Sequence, residues 1–308
     1  MDFRLTDDQR ALRSGARELL DGRFAREALR AAVDRDGRVD RKLWRELGGA
    51  GFFALRLPES EGGAGLGLPE AVLLFEEAGR ALLPGPLVAT HLAAGTVPGA
   101  ADGTAVVTCA NQLAHLVQHF DDADAVVALG AGALEAVELR EAAAVRSLDP
   151  LTPLHRLPHP PPPAAPGPLP AAAVLLTAAE QLGSAARSTE EAVRHAKHRV
   201  QFGQSVGGFQ AVKHLCAEML VRTEVARAAV YAAAAVGPDL TEAAGAKLAA
   251  DEAAVRNAGD CLQVLGGMGF TWEADVHLHL KRALLRARMW VTTSQAEEMH
   301  AEALAAAL

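Results

Sequence analysis

A chain of 308 residues is long enough for two or three small domains, and folding at this length buries about 75% of the surface the unfolded chain exposes. Half of the residues are hydrophobic, mostly Ala, Leu and Val, and aromatics reach only 4%, a balance that suits packed helices better than a β-sandwich. A net charge of −8 argues against a nucleic-acid partner, and the three separated cysteines (Cys109, Cys216, Cys261) argue against a disulfide framework or a thiolate metal site.

Residues 1–95 read as an N-terminal helical domain. Met1 to Arg4 do not open a signal peptide, and no apolar run reaches the roughly 18 residues a membrane span needs, so a reducing cytoplasm is the expected compartment. Thr6 and Gln9 form a capping box: the hydroxyl accepts from an orphan amide while the glutamine reaches back. Leu5, Leu12, Ala16, Leu19 and Leu20 then share one helical face. A second helix carries Trp44 and Leu47 into Gly48 and Gly49. Residues 58–67 are a glycine-rich loop, and Pro69 suits the first turn of the next helix, whose apolar face is Val72, Leu73, Phe75, Ala78 and Leu82.

Residues 96–157 form a short β domain, with Thr104–Cys109 and Ala125–Leu129 as strands. Residues 158–170 hold eight of the sixteen prolines and read as an extended connector. From 171 to 308 the pattern is helical. One helix reaches about Arg199 and is broken by Phe202, Gly203, Gly207 and Gly208. A second runs from Phe209 to about Val236, and a third from Thr241 to Gly266 and Gly267. The loop from Met268 to Trp272 leads into two shorter helices. Four or five long antiparallel helices joined by glycine turns make a bundle. The expected fold class is therefore mostly α, helical at both ends with a small β insert.

Few motifs carry chemistry. Gly130, Gly132 and Glu135 imitate a dinucleotide fingerprint, but the third glycine is missing and the stretch reads as a turn. His277 and His279 are two apart on an expected helix, point about 200° from each other, and read as surface or interface polar groups rather than zinc ligands. No HExxH, GxSxG or Walker loop occurs. Two stretches stand out. Arg199, Gln201, Phe202 and Gly203 are followed by Gln210 at the opening of a helix. A guanidinium at a turn, before free helix N-terminal amides, suits a pyrophosphate. The plainer reading makes Gly203 a helix cap and Phe202 its apolar contact. The second stretch, Gln263 with Gly266, Gly267, Gly269 and Phe270, places an amide one turn before a glycine-capped helix end.

With Leu5, Thr6 and Gln9, Pro58 to Gly67 and Arg282, these residues make the chain resemble the acyl-CoA dehydrogenases over about two-thirds of its length. That resemblance implies an N-terminal helical domain, a central β domain and a C-terminal four-helix bundle. It also implies FAD, an acyl-CoA substrate, electron-transfer flavoprotein as acceptor, and a dimer or tetramer. It makes Arg199, Gln201, Phe202 and Gln210 the grip on the pyrophosphate and adenosine of FAD held mainly by a neighbouring subunit, with Gln263, Gly266 and Gly267 touching the same cofactor.

The family's catalytic pattern is broken. The reaction needs a carboxylate to remove the α-proton of the thioester, a flavin to take the β-hydride, and hydrogen bonds to the thioester oxygen. Where the resemblance places the base, the chain has Val291; at the alternative position on the first bundle helix it has Ala173. Glu180, the nearest carboxylate, lies about 10 Å further along that helix at 1.5 Å per residue. It is either a displaced base or a bundle glutamate paired with an arginine. Residues 96–157 lack the family's flavin-covering loops, and their one aromatic is Phe120. The sequence thus reads as a reduced subunit that lends FAD contacts to a full-length partner, as in heteromeric actinobacterial enzymes acting on steroid side chains. The alternatives are a stand-alone dehydrogenase using Glu180 and a flavin-free scaffold.

Overall fold

The computed structural model describes residues 4–130, 132–139, 141–159, 161, 167–237 and 239–307. Asp2 and Phe3, most of the proline run and Pro238 lie outside them, as do Ala131 and Arg140. The N-terminal part contains helices α1 (Asp7–Arg23), α2 (Arg26–Asp34), α3 (Arg41–Gly49), α4 (Leu68–Ala81) and α5 (Leu87–Leu92). The Thr6 capping box forms as expected, with the Gln9 amide donating to Thr6 Oγ1 at 3.2 Å and the Thr6 amide to Gln9 Oε1 at 3.0 Å. The sequence reading passed over α2 and α5, which are short, at nine and six residues. Their burial comes from the partners they meet, not from a strong local signal. α4 is buried on nearly every side, wider than its expected apolar face, and includes Glu76 and Glu77. Those two carboxylates are matched: Arg17 donates twice to Glu77 at 2.7 and 2.8 Å, and Arg227 and Tyr231 both donate to Glu76.

Among the described residues the β region holds six short strands in two three-stranded sheets, four more than the two expected runs. In the first, β1 (Val107–Cys109) lies parallel to β3 (Ala125–Leu129), which pairs with antiparallel β4 (Leu134–Ala136). Gly130 and Gly132 lie between β3 and β4, where a turn was expected, and the Gly130 amide donates to Ala133 O. In the second sheet β6 (Leu154–Arg156) sits between β2 (Leu116–Gln118) and β5 (Ala143–Val145), both antiparallel to it.

The C-terminal part has three long helices, α6 (Pro168–His198), α7 (Gln210–Val236) and α8 (Leu240–Leu265), and the shorter α9 (Val276–Arg286) and α10 (Thr293–Ala307). Three long helices, rather than four or five, pack on one another; α4 completes the arrangement by lying along α6. The connector was expected to reach 170, but α6 begins at Pro168 with Gly167 as N-cap, because prolines are tolerated in a first turn where their missing N–H has no partner. α4 and α6 meet at glycines: a Cβ on Gly79 would overlap the Glu180 backbone, and one on Gly183 the Glu76 backbone. One apolar core runs through the N-terminal helices and the bundle, and a smaller one sits at the end where α6 and α8 finish. No helix among the described residues is long and apolar enough to cross a membrane.

Candidate functional site

Because α6, α7 and α8 alternate in direction, the C-terminus of α6, the N-terminus of α7 and the C-terminus of α8 fall at one end of the bundle. The small core of Ala196, Met219, Cys261 and Val264, with Val212 and Leu265 beside it, ties them together. All the residues singled out in the two stretches lie at this end. Arg199, Gln201, Phe202, Gln210, Gln263 and Gly267 are exposed, and Gly266 is half-buried.

The connection from α6 to α7 corrects the plainer reading of Gly203. The helix stops at His198, and Arg199 is extended. β7 (Val200–Gln201) and β8 (Gln204–Ser205) then form a minimal hairpin with Gln201 paired to Gln204. Phe202 and Gly203 are its two central residues with φ of +51° and +79°, the backbone of a type I′ turn. A phenylalanine rarely adopts such a φ. Nor does its ring serve as a packed cap contact: Phe202 is 91% exposed, with the Phe209 ring edge-on at 6.1 Å. The side chains of Gln201 and Gln210 make only local hydrogen bonds, to Val200 O and to His214. Burial first, and then the charge of Arg199, depress the pKa of His195 on the last turn of α6, which places the guanidinium beside that turn. Gly266 closes α8 with φ +60°, and a 3-10 turn carries the chain past Met268 and Phe270, both exposed. That loop is held from the N-terminal side, where Arg26 and Arg30 on α2 bind Asp275 and the carbonyls of Trp272 and Glu273. The arrangement presents one cation, three primary amides and unpaired backbone at helix ends on an open surface, a donor set for a phosphate-bearing ligand.

The other half of α6 is the opposite case. Ala173 is fully buried, and Val291 half-buried against the main core. One turn along α6 from Ala173, the residue before Val291 fills the space. Trp290, at φ +62°, donates from Nε1 to Thr177 Oγ1 at 2.9 Å and from its backbone to Gln112 O at 2.7 Å. Glu180 accepts from Arg286 at 2.6 Å, both side chains being buried. Desolvation raises the carboxyl pKa and lowers that of Arg286 to about 10; the neighbouring charge of each acts against its shift. This is the pairing that the plainer reading of Glu180 anticipated. Arg282, also buried, donates to Asp149 at 2.7 Å and to Leu82 O and Leu83 O, locking the β region, α4 and α9 together. What remains among Gln112, Thr177, Glu180, Arg286 and Trp290 is a cavity of about 20 Å³, room for one water. Gln112 Nε2, Arg282 Nη2 and Arg286 Nη1 are buried there without a protein partner.

Sequence reasoning missed Trp290, Arg286, Thr177 and Gln112. Trp290 adjoins Val291, but nothing in the order of residues told that its backbone turns left-handed and swings the indole onto α6. His279 is a further correction. It is buried, accepts or donates at 2.8 Å to Ser184 Oγ, and lies in the interior rather than on the surface. Among the described residues no cluster of His, Cys, Asp or Glu has the makings of a metal site, and the three cysteines are free.

Comparisons with known proteins agree with this geometry. Residues 6–107 match the family model for the acyl-CoA dehydrogenase N-terminal domain, and residues 174–308 that for the C-terminal domain. The chain is 39% identical over 290 residues to acyl-CoA dehydrogenase IpdE2 of Mycobacterium tuberculosis, covering 90% of this chain and 91% of that protein. Among solved structures it is similar to a chain of a variant of the Tcur3481–Tcur3483 steroid ACAD, with a TM-score of 0.84, 26% identity and coverage of 97% of this chain and 99% of that one. It also shares its fold with a chain of the ChsE4–ChsE5 complex from Mycobacterium tuberculosis (TM-score 0.85, 24% identity, 99% of each chain).

Proposed function

The chain belongs to the acyl-CoA dehydrogenase family, oxidoreductases that act on CH–CH bonds, and on that premise we propose that it is the reduced subunit of a heteromeric enzyme. In this reading it lends Arg199, Gln201, Phe202, Gln210, Gln263, Gly266 and Gly267 to the tail of an FAD held by a full-length partner, and has no base of its own. FAD supplies the acceptor for the β-hydride of an acyl-CoA thioester. Electron-transfer flavoprotein would be the partner that accepts the electrons, by resemblance to the family. The likeness to a steroid enzyme makes a steroid side-chain thioester the substrate to test first.

One observation carries the proposal: the two halves of a nucleotide-and-ring cofactor meet opposite conditions in this chain. The tail meets an exposed row of donors with few partners of their own. The space left beside Thr177, Glu180 and Trp290, one to two turns along α6 from Ala173, is about 20 Å³, far below the several hundred Å³ of a ligand pocket. Glu180 fits poorly as a displaced base, since a carboxylate neutralised by Arg286 and enclosed by Trp290 and Gln112 has no path to a thioester α-carbon.

The test is co-expression with a full-length homologue from the same genome, followed by native mass and an absorbance spectrum. The expected result is a yellow heteromer, a colourless isolated chain, and turnover in the heteromer that survives Glu180→Gln. A yellow, active homo-oligomer of this chain alone, inactivated by Glu180→Gln, would establish the stand-alone reading. An assembly that stays colourless with every partner would make it a scaffold.

A further inference from the structure

A second cleft is bounded by α1, α2, the ends of α4 and α6, and the loop before α9, so that it adjoins the open end of the bundle at Leu265 and Met268. Its volume is about 530 Å³, within the range of small-molecule sites. The α4–α6 crossing at Gly79 and Gly183 stands between it and the filled space near Trp290. None of Arg199, Gln201, Gln210 and Gln263 lines it.

One wall is apolar: Leu20, Phe24 and Leu29 come from the N-terminal helices, with Leu265, Met268 and Val276 continuing it. The facing wall is basic. Arg17, Arg80 and Arg187, from three different helices, stand close enough for Arg17 and Arg187 to depress the pKa of Arg80, after burial itself. Carboxylates do not fully match them. Glu77 takes both hydrogen bonds of Arg17 and lies 3.7 Å from Arg80, and Glu190 is shared, at 2.8 Å from Arg80 and 3.7 Å from Arg187. Three guanidinia therefore have two carboxylates between them, and Arg80 Nη1 is buried with no hydrogen-bond partner. Other charges around the cleft are accounted for: Arg194 pairs with Glu191, Arg26 and Arg30 with Asp275, and Asp21 and Glu273 are exposed at the rim. The floor adds no positive charge, because burial and nearby arginines push His279 down to about 3 and keep it neutral.

A buried guanidinium N–H left unpaired is costly, and a carboxylate is the acceptor that matches its fork. A lone anion would leave the Leu20, Phe24 and Leu29 wall wetted. We propose that this cleft binds a bulky amphipathic carboxylate, its apolar body on that wall and its carboxylate on Arg80 and Arg187.

The probe is 1-pyrenebutyrate, titrated into the full chain by calorimetry and fluorescence, with 1-pyrenebutanol as its uncharged counterpart. Saturable binding to one site per chain is expected, with the alcohol weaker by roughly tenfold or more because it cannot accept a bidentate charge-assisted pair. Arg80→Gln should weaken the carboxylate by a similar factor and leave the alcohol unchanged. Ala25→Trp, at an exposed position on the rim, should block both without touching the core; it serves if Arg80→Gln fails to fold. Arg199→Ala should change neither, which separates this site from the cofactor grip. Equal affinity for acid and alcohol, no saturable binding, or binding indifferent to both Ala25→Trp and Arg80→Gln would overturn the proposal.

Discussion

The two ends of α6 form one continuous helix yet meet opposite surroundings. From Ala171 to Ala185 every side chain is buried, and the polar ones are engaged: Thr177 by Trp290, Glu180 by Arg286, Gln181 by Asp251 and Ala283 O, Ser184 by His279. In the last turn and the hairpin beyond it Ala196 still packs into the small core, but the polar side chains are exposed or half-buried, and Gln201 bonds only to its neighbour in sequence. The difference separates two kinds of polar residue. Those at the first end hold the chain's own elements together, so removing one leaves its partner stranded. Those at the second end hold nothing within the chain, and their chemistry is directed outward.

That contrast can be broken by mutation. The largest effect should follow Glu180→Ala, which leaves Arg286 charged and buried without its counter-ion and should cost about 3–5 kcal/mol in urea unfolding. Acidification comes next and tests the packed side as a whole. Burial pushes His91 down to about 4 and His279 to about 3, so the folded state keeps both neutral while the unfolded state protonates below about 6.5. Their stabilisation is therefore complete above pH 6.5 and is lost as pH falls toward 4 and then 3. Together they should remove about 3 kcal/mol between pH 6.5 and 5, measured as a shift of the urea midpoint with pH. Trp290→Ala should cost about 2–3 kcal/mol, below the figure for a fully buried tryptophan because the ring is only half-buried, and should unstrain the left-handed backbone only in part. The smallest effect on stability belongs to the open end. Arg199→Ala and Gln263→Ala should each stay within about 0.5 kcal/mol of the parent. In the heteromer the same two changes should lower the flavin absorbance per complex, and a stability loss as large as that of Glu180→Ala would erase the distinction between the ends.

Much of the fold was legible in the residues. The capping box at Thr6, the glycine stop at 266 and the apolar periods of α1 and α4 each act through neighbours three or four residues away. Order alone therefore reveals them. α2 and α5 were invisible for the opposite reason, being short segments whose stability comes from what they pack against. The site divides in the same way. The row of donors could be read because each sits at a helix boundary that the sequence marks. His279 was misplaced because its burial depends on Ser184 nearly a hundred positions away, and the Arg80 and Arg187 wall was unseen because it is gathered from three helices.

The sequence by itself determined most of the helices, and that Ala173 and Val291 carry no carboxylate, since a side chain that cannot carry a proton is plain from its identity. Only the tertiary structure decided that Trp290 packs onto Thr177, that Arg286 pairs with Glu180, and that a larger cleft opens beyond the α4–α6 crossing. The reason is physical: proton chemistry belongs to single residues, whereas a cavity is the space left among residues distant in the chain, and no local pattern records its volume.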